Sequence, residues 1–134
     1  MDYVISPAAR ISGTVEMPGD KSISHRALMI AAIAEGESHI EKLSDGADVA
    51  STIACLEKLG VKVVREGSTA TVHGVGMTGL KPPARVLDVG NSGTTIRIAM
   101  GSASLIKEGT VILTGDDQIQ QRPAQPLADA LNDG

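Results

Sequence analysis

At 134 residues, with a formal net charge of -4 and a pI near 5.3, the chain has the length of one ordinary domain and the wrong charge balance for a nucleic-acid binder. Its 42% hydrophobic and 21% charged residues are those of a globular chain rather than a disordered one. One Tyr and no Phe or Trp exclude base stacking as a binding mode and leave the core to Ala, Val, Ile, Leu and Met.

Tyr3-Val4-Ile5 and Ile11–Met17 read as two short strands, the first ended by Pro7 and the second alternating in polarity. Pro18-Gly19 then breaks the chain ahead of a helix predicted from about Ser24 to Glu35. Asp20, Ser22 and Ser24 are all residues able to cap its free N–H groups, and the run Ala27–Ala34 is apolar enough for a helix buried all round. Ser38–Leu43 is a strand candidate, and a second helix over about Asp48–Leu59 closes on Gly60. Val61–Val64 and Thr69–His73 form a hairpin across Glu66-Gly67-Ser68, followed by a Gly/Pro-rich connector from Gly74 to Ala84.

The order then repeats. Val86–Val89 is a strand, and Gly90–Arg97 is a Gly- and hydroxyl-rich loop entering a helix that ends near Lys107. Thr110–Thr114 is a strand, Gly115-Asp116-Asp117 a turn, Gln118–Pro123 a loop, and Pro126–Asn132 a last helix. Arg26 aligns with Arg97 at an offset of 71, Glu35-Gly36 with Glu108-Gly109 at 73, and Gly60 with Gly134 at 74. The second unit lacks the closing pair of strands, which predicts a chain that is part of a longer protein and leaves apolar helix faces to be covered.

In both units Gly and hydroxyl residues precede a helix start and an Arg follows it. Helix N-termini carry partial positive charge and free donors, and guanidinium forks suit phosphate and carboxylate. Lys21, Arg26, Arg97 and Arg122 therefore mark a site for a small anionic ligand if packing brings the helix starts together. Solvated cations beside ordinary caps are the plainer alternative for each of them taken singly. Cys55 is the single cysteine, so no intramolecular disulfide forms; a packed, inert thiol in a cytoplasmic setting is expected. His25, His39 and His73 lack metal-ligand spacing. Met1-Asp2-Tyr3 lacks the basic start of a leader, and no run is long enough to cross a membrane.

Pro18-Gly19-Asp20-Lys21-Ser22-Ile23-Ser24-His25-Arg26-Ala27 closely resembles the N-terminal signature of the 3-phosphoshikimate 1-carboxyvinyltransferases, or EPSP synthases. Asp88–Arg97 resembles the second signature of that family, and Leu113-Thr114-Gly115-Asp116 with Arg122-Pro123 resembles its third. The likeness runs over essentially the whole chain. It implies an α/β (α+β) fold of two globes, each made of three βαβαββ units, with ligands held where the globes close. Residues 1–18 would then be strands of the other globe, 19–85 the first unit and 86–134 a truncated second. The implied reaction moves the enolpyruvyl group of phosphoenolpyruvate onto the 5-hydroxyl of shikimate 3-phosphate in the shikimate pathway to aromatic amino acids.

Carried over by matching position, the resemblance gives Lys21 contacts to both ligands, Ser22 and Arg26 a role in holding shikimate 3-phosphate, and Gly93 and Arg122 a role in binding phosphoenolpyruvate. Thr94 and Arg97 follow less directly, since a hydroxyl cap and a helix-stabilising Arg explain them nearly as well. Gly93 also sits where the inhibitor glyphosate packs. No metal or cofactor is implied, and the acid/base residues of the family, a carboxylate and a further lysine, lie outside this segment, so no catalytic group is assigned within it. The partners implied are the two ligands and the remainder of the enzyme, with no nucleic acid and no membrane; residues 1–134 alone are expected to be inactive. The loop Gln118–Ala124 departs from the family, which often carries Ser-Leu, a basic or polar pair and Arg-Pro-Met there; at least one positive charge is lost. The related transferase acting on UDP-N-acetylglucosamine carries a reactive Cys on this loop, and here there is none. A non-catalytic anion-binding or interaction module derived from the family is the alternative from another functional class.

Overall fold

Asp20 starts the first regular element. In the computed structural model, which describes residues 3–133, its carboxylate accepts a hydrogen bond from the Ile23 amide at 2.7 Å and opens α1 (Lys21–Ile33). The helix begins earlier than the expected Ser24. That residue lies within it, its hydroxyl donating to the Asp20 carbonyl at 2.7 Å. Ala34 ends α1, and the chain passes directly into β1 (Glu35–Ile40), then α2 (Ala47–Lys58), β2 (Lys62–Glu66) and β3 (Thr69–Val75). The expected hairpin is present, turning at Gly67-Ser68.

These three strands form an antiparallel sheet in the order β1-β3-β2, with Val63 opposite Val72 and Ile40 opposite Ala70. Pairing with β3 from Glu35 to Ile40 places β1 earlier than the strand candidate Ser38–Leu43. The partner's reach sets the strand's limits, and a single sequence window does not contain the partner. In the second half β4 (Leu87–Asp88) and β5 (Leu113–Thr114) pair in parallel, with α3 (Gly93–Ala103) between them in sequence. The short α4 (Asp117–Gln120) and α5 (Gln125–Asn132) follow. The mixed α/β architecture expected from the sequence is thus present. The two Glu-Gly pairs aligned by the repeat share a left-handed backbone, φ +88° at Gly36 and +102° at Gly109. Gly134, the last point of the alignment, lies outside the described residues.

Several expectations are corrected. Tyr3-Val4-Ile5 and Ile11–Met17 form no strand; they are exposed, Ile11 by 92%. Among the described residues no neighbouring strand pairs with their backbone groups, and an alternating pattern alone does not make a strand. The third helix stops at Ala103 rather than near Lys107, and only Leu113-Thr114 of the predicted Thr110–Thr114 strand is paired. Nor is α1 buried all round. Ile23 and Ile30 are 69% and 64% exposed, whereas the polar Ser24 and His25 face inward.

One apolar cluster joins both halves. Leu28 and Met29 of α1, Leu56 of α2, Val72 of β3, Leu87 of β4, Ala99 of α3 and Ile119 of α4 all belong to it. With no aromatic rings available, fully buried Leu28, Leu56, Leu59, Leu87 and Ile119 supply the bulk. Each contributes about 1.5–3 kcal/mol by leaving water. Cys55 is fully buried, as expected, and desolvation raises its thiol pKa above the usual range.

Candidate functional site

α1, α2 and α3 pack against one another near their N-terminal ends, and those ends surround a cavity of about 460 Å³. From α1 come Lys21 and Arg26; from the start of α2, Asp48; from α3 and the loop before it, Asn91, Gly93, Thr94, Arg97 and Ile98; from the segment after α4, Arg122. Each side chain is there for a local reason. Lys21 and Arg26 occupy the first two turns of the helix that Asp20 caps, and Arg26 Nη1 donates to the Ser22 carbonyl at 3.0 Å. Ser92 caps α3, its hydroxyl accepting from the Thr95 amide at 3.2 Å, which sets Gly93 and Thr94 at the helix start.

Arg122 arrives through a chain of polar contacts. The Asp116 amide donates to the Gly90 carbonyl at 3.0 Å, joining the loop before α3 to the loop before α4. The Asp116 carboxylate caps α4, accepting from the Gln118 and Ile119 amides at 3.1 and 3.0 Å. The Asn91 side-chain amide donates to that carboxylate and to Gln118 Oε1, the latter at 3.0 Å. These donors, the Asn91 side chain first, hold the Asp116 carboxyl below the usual carboxylate range. The Arg122 amide then donates to the Ile119 carbonyl at 3.0 Å, and the guanidinium lies over Gly93. A Cβ on residue 93 would overlap Arg122 Nη1 and sit 3.2 Å from its Cζ. Glycine leaves the space that the guanidinium fills.

The electrostatics are one-sided. Four cations and a single carboxylate line the cavity of a chain whose net charge is -4. That carboxylate, Asp48, is engaged by Lys21 Nζ at 2.7 Å. Among the described residues Arg26, Arg97 and Arg122 form no ion pair; Arg97 reaches only the Pro123 carbonyl, at 3.4 Å. Unpaired guanidinium groups beside two capped helix starts make a pocket suited to multiply charged anions.

Of the residues singled out from sequence, the structure brings together Lys21, Arg26, Gly93, Thr94, Arg97 and Arg122. Ser22 is exposed on the first turn of α1 and is not among the cavity-lining residues. Asp48 and Asn91 line the pocket without having been assigned a role; Asp48 reads in sequence only as a helix-start residue, and its pairing with Lys21 spans 27 positions. Gln118–Gln120, read as loop, belongs to α4, and the signal for it was the Asp116 cap. No group of three His, Cys, Asp or Glu among the described residues is arranged to hold a metal ion. No helix among them is long and apolar enough to cross a membrane.

Residues 5–133 match the family model for EPSP synthase (3-phosphoshikimate 1-carboxyvinyltransferase). The chain is 45% identical over 131 residues to the 3-phosphoshikimate 1-carboxyvinyltransferase of Roseiflexus sp. (strain RS-1), covering 98% of itself and 30% of that protein. It is 49% identical over 123 residues to the enzyme of that name from Bacillus cytotoxicus, covering 92% of itself and 29% of the relative. Among solved structures, EPSP synthase from Acinetobacter baumannii superposes with a TM-score of 0.81 at 40% identity, over 90% of this chain and 27% of that one. The chain thus spans about 30% of the length of the relatives it matches.

Proposed function

Because the chain belongs to the EPSP synthase family, we propose that residues 1–134 supply the anion-clamping wall of an enolpyruvyl transferase site, taking shikimate 3-phosphate and phosphoenolpyruvate. The observation that carries this reading is the convergence of Lys21, Arg26, Arg97 and Arg122 on one cavity with a single, already engaged carboxylate. Residues 19–85 and 86–134 are then successive structural units, residues 1–18 belong with the other globe, and the protein works in the cytoplasm.

In this reading Arg26, with Ser22, holds the phosphate of shikimate 3-phosphate, Arg122 and the Gly93 backbone hold phosphoenolpyruvate, and Lys21 lies between the two. The 5-hydroxyl oxygen bonds to C2 of phosphoenolpyruvate as it gives up its proton and a proton is added to the methylene carbon. The tetrahedral intermediate then loses a proton from the resulting methyl group and expels phosphate, which restores the carbon–carbon double bond as an enol ether. Two polyanions must approach one another for this, and fixed cations and helix starts offset their repulsion in a site that needs no reorganisation. Proton transfer calls for a free acid and base within reach. The cavity lining offers neither, since Asp48 is paired with Lys21 and the other ionisable groups are guanidinium cations.

Residues 1–134 alone are therefore expected to release no phosphate from phosphoenolpyruvate. Mixed with the remaining portion of the Bacillus cytotoxicus enzyme, they are expected to give phosphate release that depends on shikimate 3-phosphate. Robust turnover by residues 1–134 alone contradicts the division of labour. A folded, ligand-binding mixture without turnover favours a non-catalytic anion-binding module instead.

A further inference from the structure

The three helices that carry the cavity are joined beneath it by one buried hydrogen-bonded chain. His25 Nδ1 of α1 lies 2.6 Å from Thr52 Oγ1 of α2, which lies 2.7 Å from Thr95 Oγ1 of α3, itself 2.6 Å from Ser92 Oγ. All four residues are fully buried. Each end of the chain adjoins the site: His25 precedes Arg26, and Ser92 is the cap that precedes Gly93. Among the described residues, His25 Nε2 is the buried side-chain polar atom left without a partner.

Counting protons gives the chain a direction. Each hydroxyl has one proton to donate. If Ser92 donates to Thr95, Thr95 to Thr52 and Thr52 to His25 Nδ1, every hydroxyl proton is used, and the Thr95 amide still finds an acceptor in Ser92 Oγ. Only the Nε2–H of His25 is then unpaired. If Nδ1–H starts the chain instead, either the Ser92 proton ends it without an acceptor or the Thr52 proton turns to the Asp48 carbonyl at a long 3.4 Å, and the Nε2 lone pair is bare in both cases. Unpaired buried polar groups are costly, so the first arrangement is favoured. Burial also disfavours the charged imidazole, as do Lys21 and Arg26, against the opposing pull of Asp48.

We propose that His25, Thr52 and Thr95 are positioning residues of the anion site: their chain holds the starts of α1, α2 and α3 in one register, with His25 neutral and carrying its proton on Nε2. Lys21, Arg26 and the Gly93–Thr94 backbone thereby face one cavity together. The inference rests on the anion-site reading given above. Thr95 is the joint to test, because its hydroxyl makes both links to its neighbours, and Val keeps its branched shape while removing that hydroxyl.

The experiment is a titration of residues 1–134 with shikimate 3-phosphate, followed through the backbone amide resonances of Arg26 and Gly93. Thr95→Val is expected to raise the dissociation constant about tenfold, whereas Thr95→Ser, which keeps the hydroxyl, stays within about twofold. A Thr95→Val chain that is less stable but binds as the unsubstituted chain does overturns the proposal and leaves the anion reading standing. Absence of saturable binding by the unsubstituted chain overturns both. Long-range proton–nitrogen correlation of the His25 ring in the unsubstituted chain gives a readout that does not depend on a variant folding. A neutral ring protonated on Nε2 at pH 7 is expected; protonation on Nδ1, or a charged ring, overturns the proposal.

Discussion

Gly93→Ala is expected to weaken phosphoenolpyruvate binding by roughly ten- to a hundredfold while leaving the fold intact. The added methyl overlaps the end of the Arg122 side chain. That end is flexible, so it yields, and the helix is not strained. Gly93 is the first residue of α3 and its φ is not positive, so Ala suits the backbone. What is lost is the placement of the guanidinium. A charge-assisted hydrogen bond is worth about 1.5–3 kcal/mol, and a misplacement of about 1 Å in a site of fixed charges can cost on the order of a hundredfold. The check pairs a ligand titration with thermal unfolding of the same sample. Unchanged affinity with an unchanged melting temperature contradicts the role given to the space above Gly93.

A large effect on stability is expected at Gly74. This residue of β3 passes beneath the end of α1, where a Cβ would overlap the carbonyl oxygens of Ala31 and Ala34 and lie 2.9 Å from the Ala34 carbonyl carbon. None of these is a side chain that can rotate away, and the Ala34 carbonyl also accepts the Gly76 amide at 2.9 Å. Gly74→Ala must therefore push α1 off the sheet. Overpacking of this kind costs about 3 kcal/mol or more, against a total of about 5–15 kcal/mol for a domain. Gly101→Ala in α3 is the matched control: nothing lies within 4 Å of its added methyl, and helix propensity favours Ala by up to about 1 kcal/mol. Denaturant unfolding of the pair is expected to separate them by several kcal/mol. Equal midpoints contradict the close approach of α1 and β3.

How far such features can be read from the residues depends on whether their cause is local. The start of α2, the hairpin through Gly67-Ser68 and the cation beside each helix start follow from caps, turn residues and spacing that lie within a few positions of one another. The limits of β1 do not, because they depend on which β3 residues stand opposite, from Val75 to Ala70. Ile11–Met17 alternates like a strand but has no neighbour to pair with among the described residues, so its pattern alone orders nothing. Apolar content mispredicted α1, since the inward positions are fixed by what α2 and α3 offer: Thr52 and Thr95 receive His25, and Ile23 and Ile30 turn outward.

The site shows the same division. Lys21, Arg26 and Arg122 are visible as cations near helix entrances, but their meeting in one cavity is a tertiary fact. The Lys21–Asp48 pair joins residues 27 positions apart, and the Asn91–Gln118 bond also joins residues 27 apart; no short motif contains either. Asp116 was read as part of a turn, and its second function, capping α4 and so presenting Arg122 to Gly93, appears only when the loop before α3 lies beside it.

The most direct measurement is a two-dimensional amide titration of residues 1–134 with shikimate 3-phosphate and phosphoenolpyruvate together. Saturable shifts are expected to cluster at Lys21–Arg26, Gly93–Arg97 and Arg122, and to leave the far sheet from Lys62 to Val75 unmoved. Saturable shifts confined to the β1–β3 sheet, or no saturable shift at Lys21, Arg26 and Arg122, contradict a shared anion pocket.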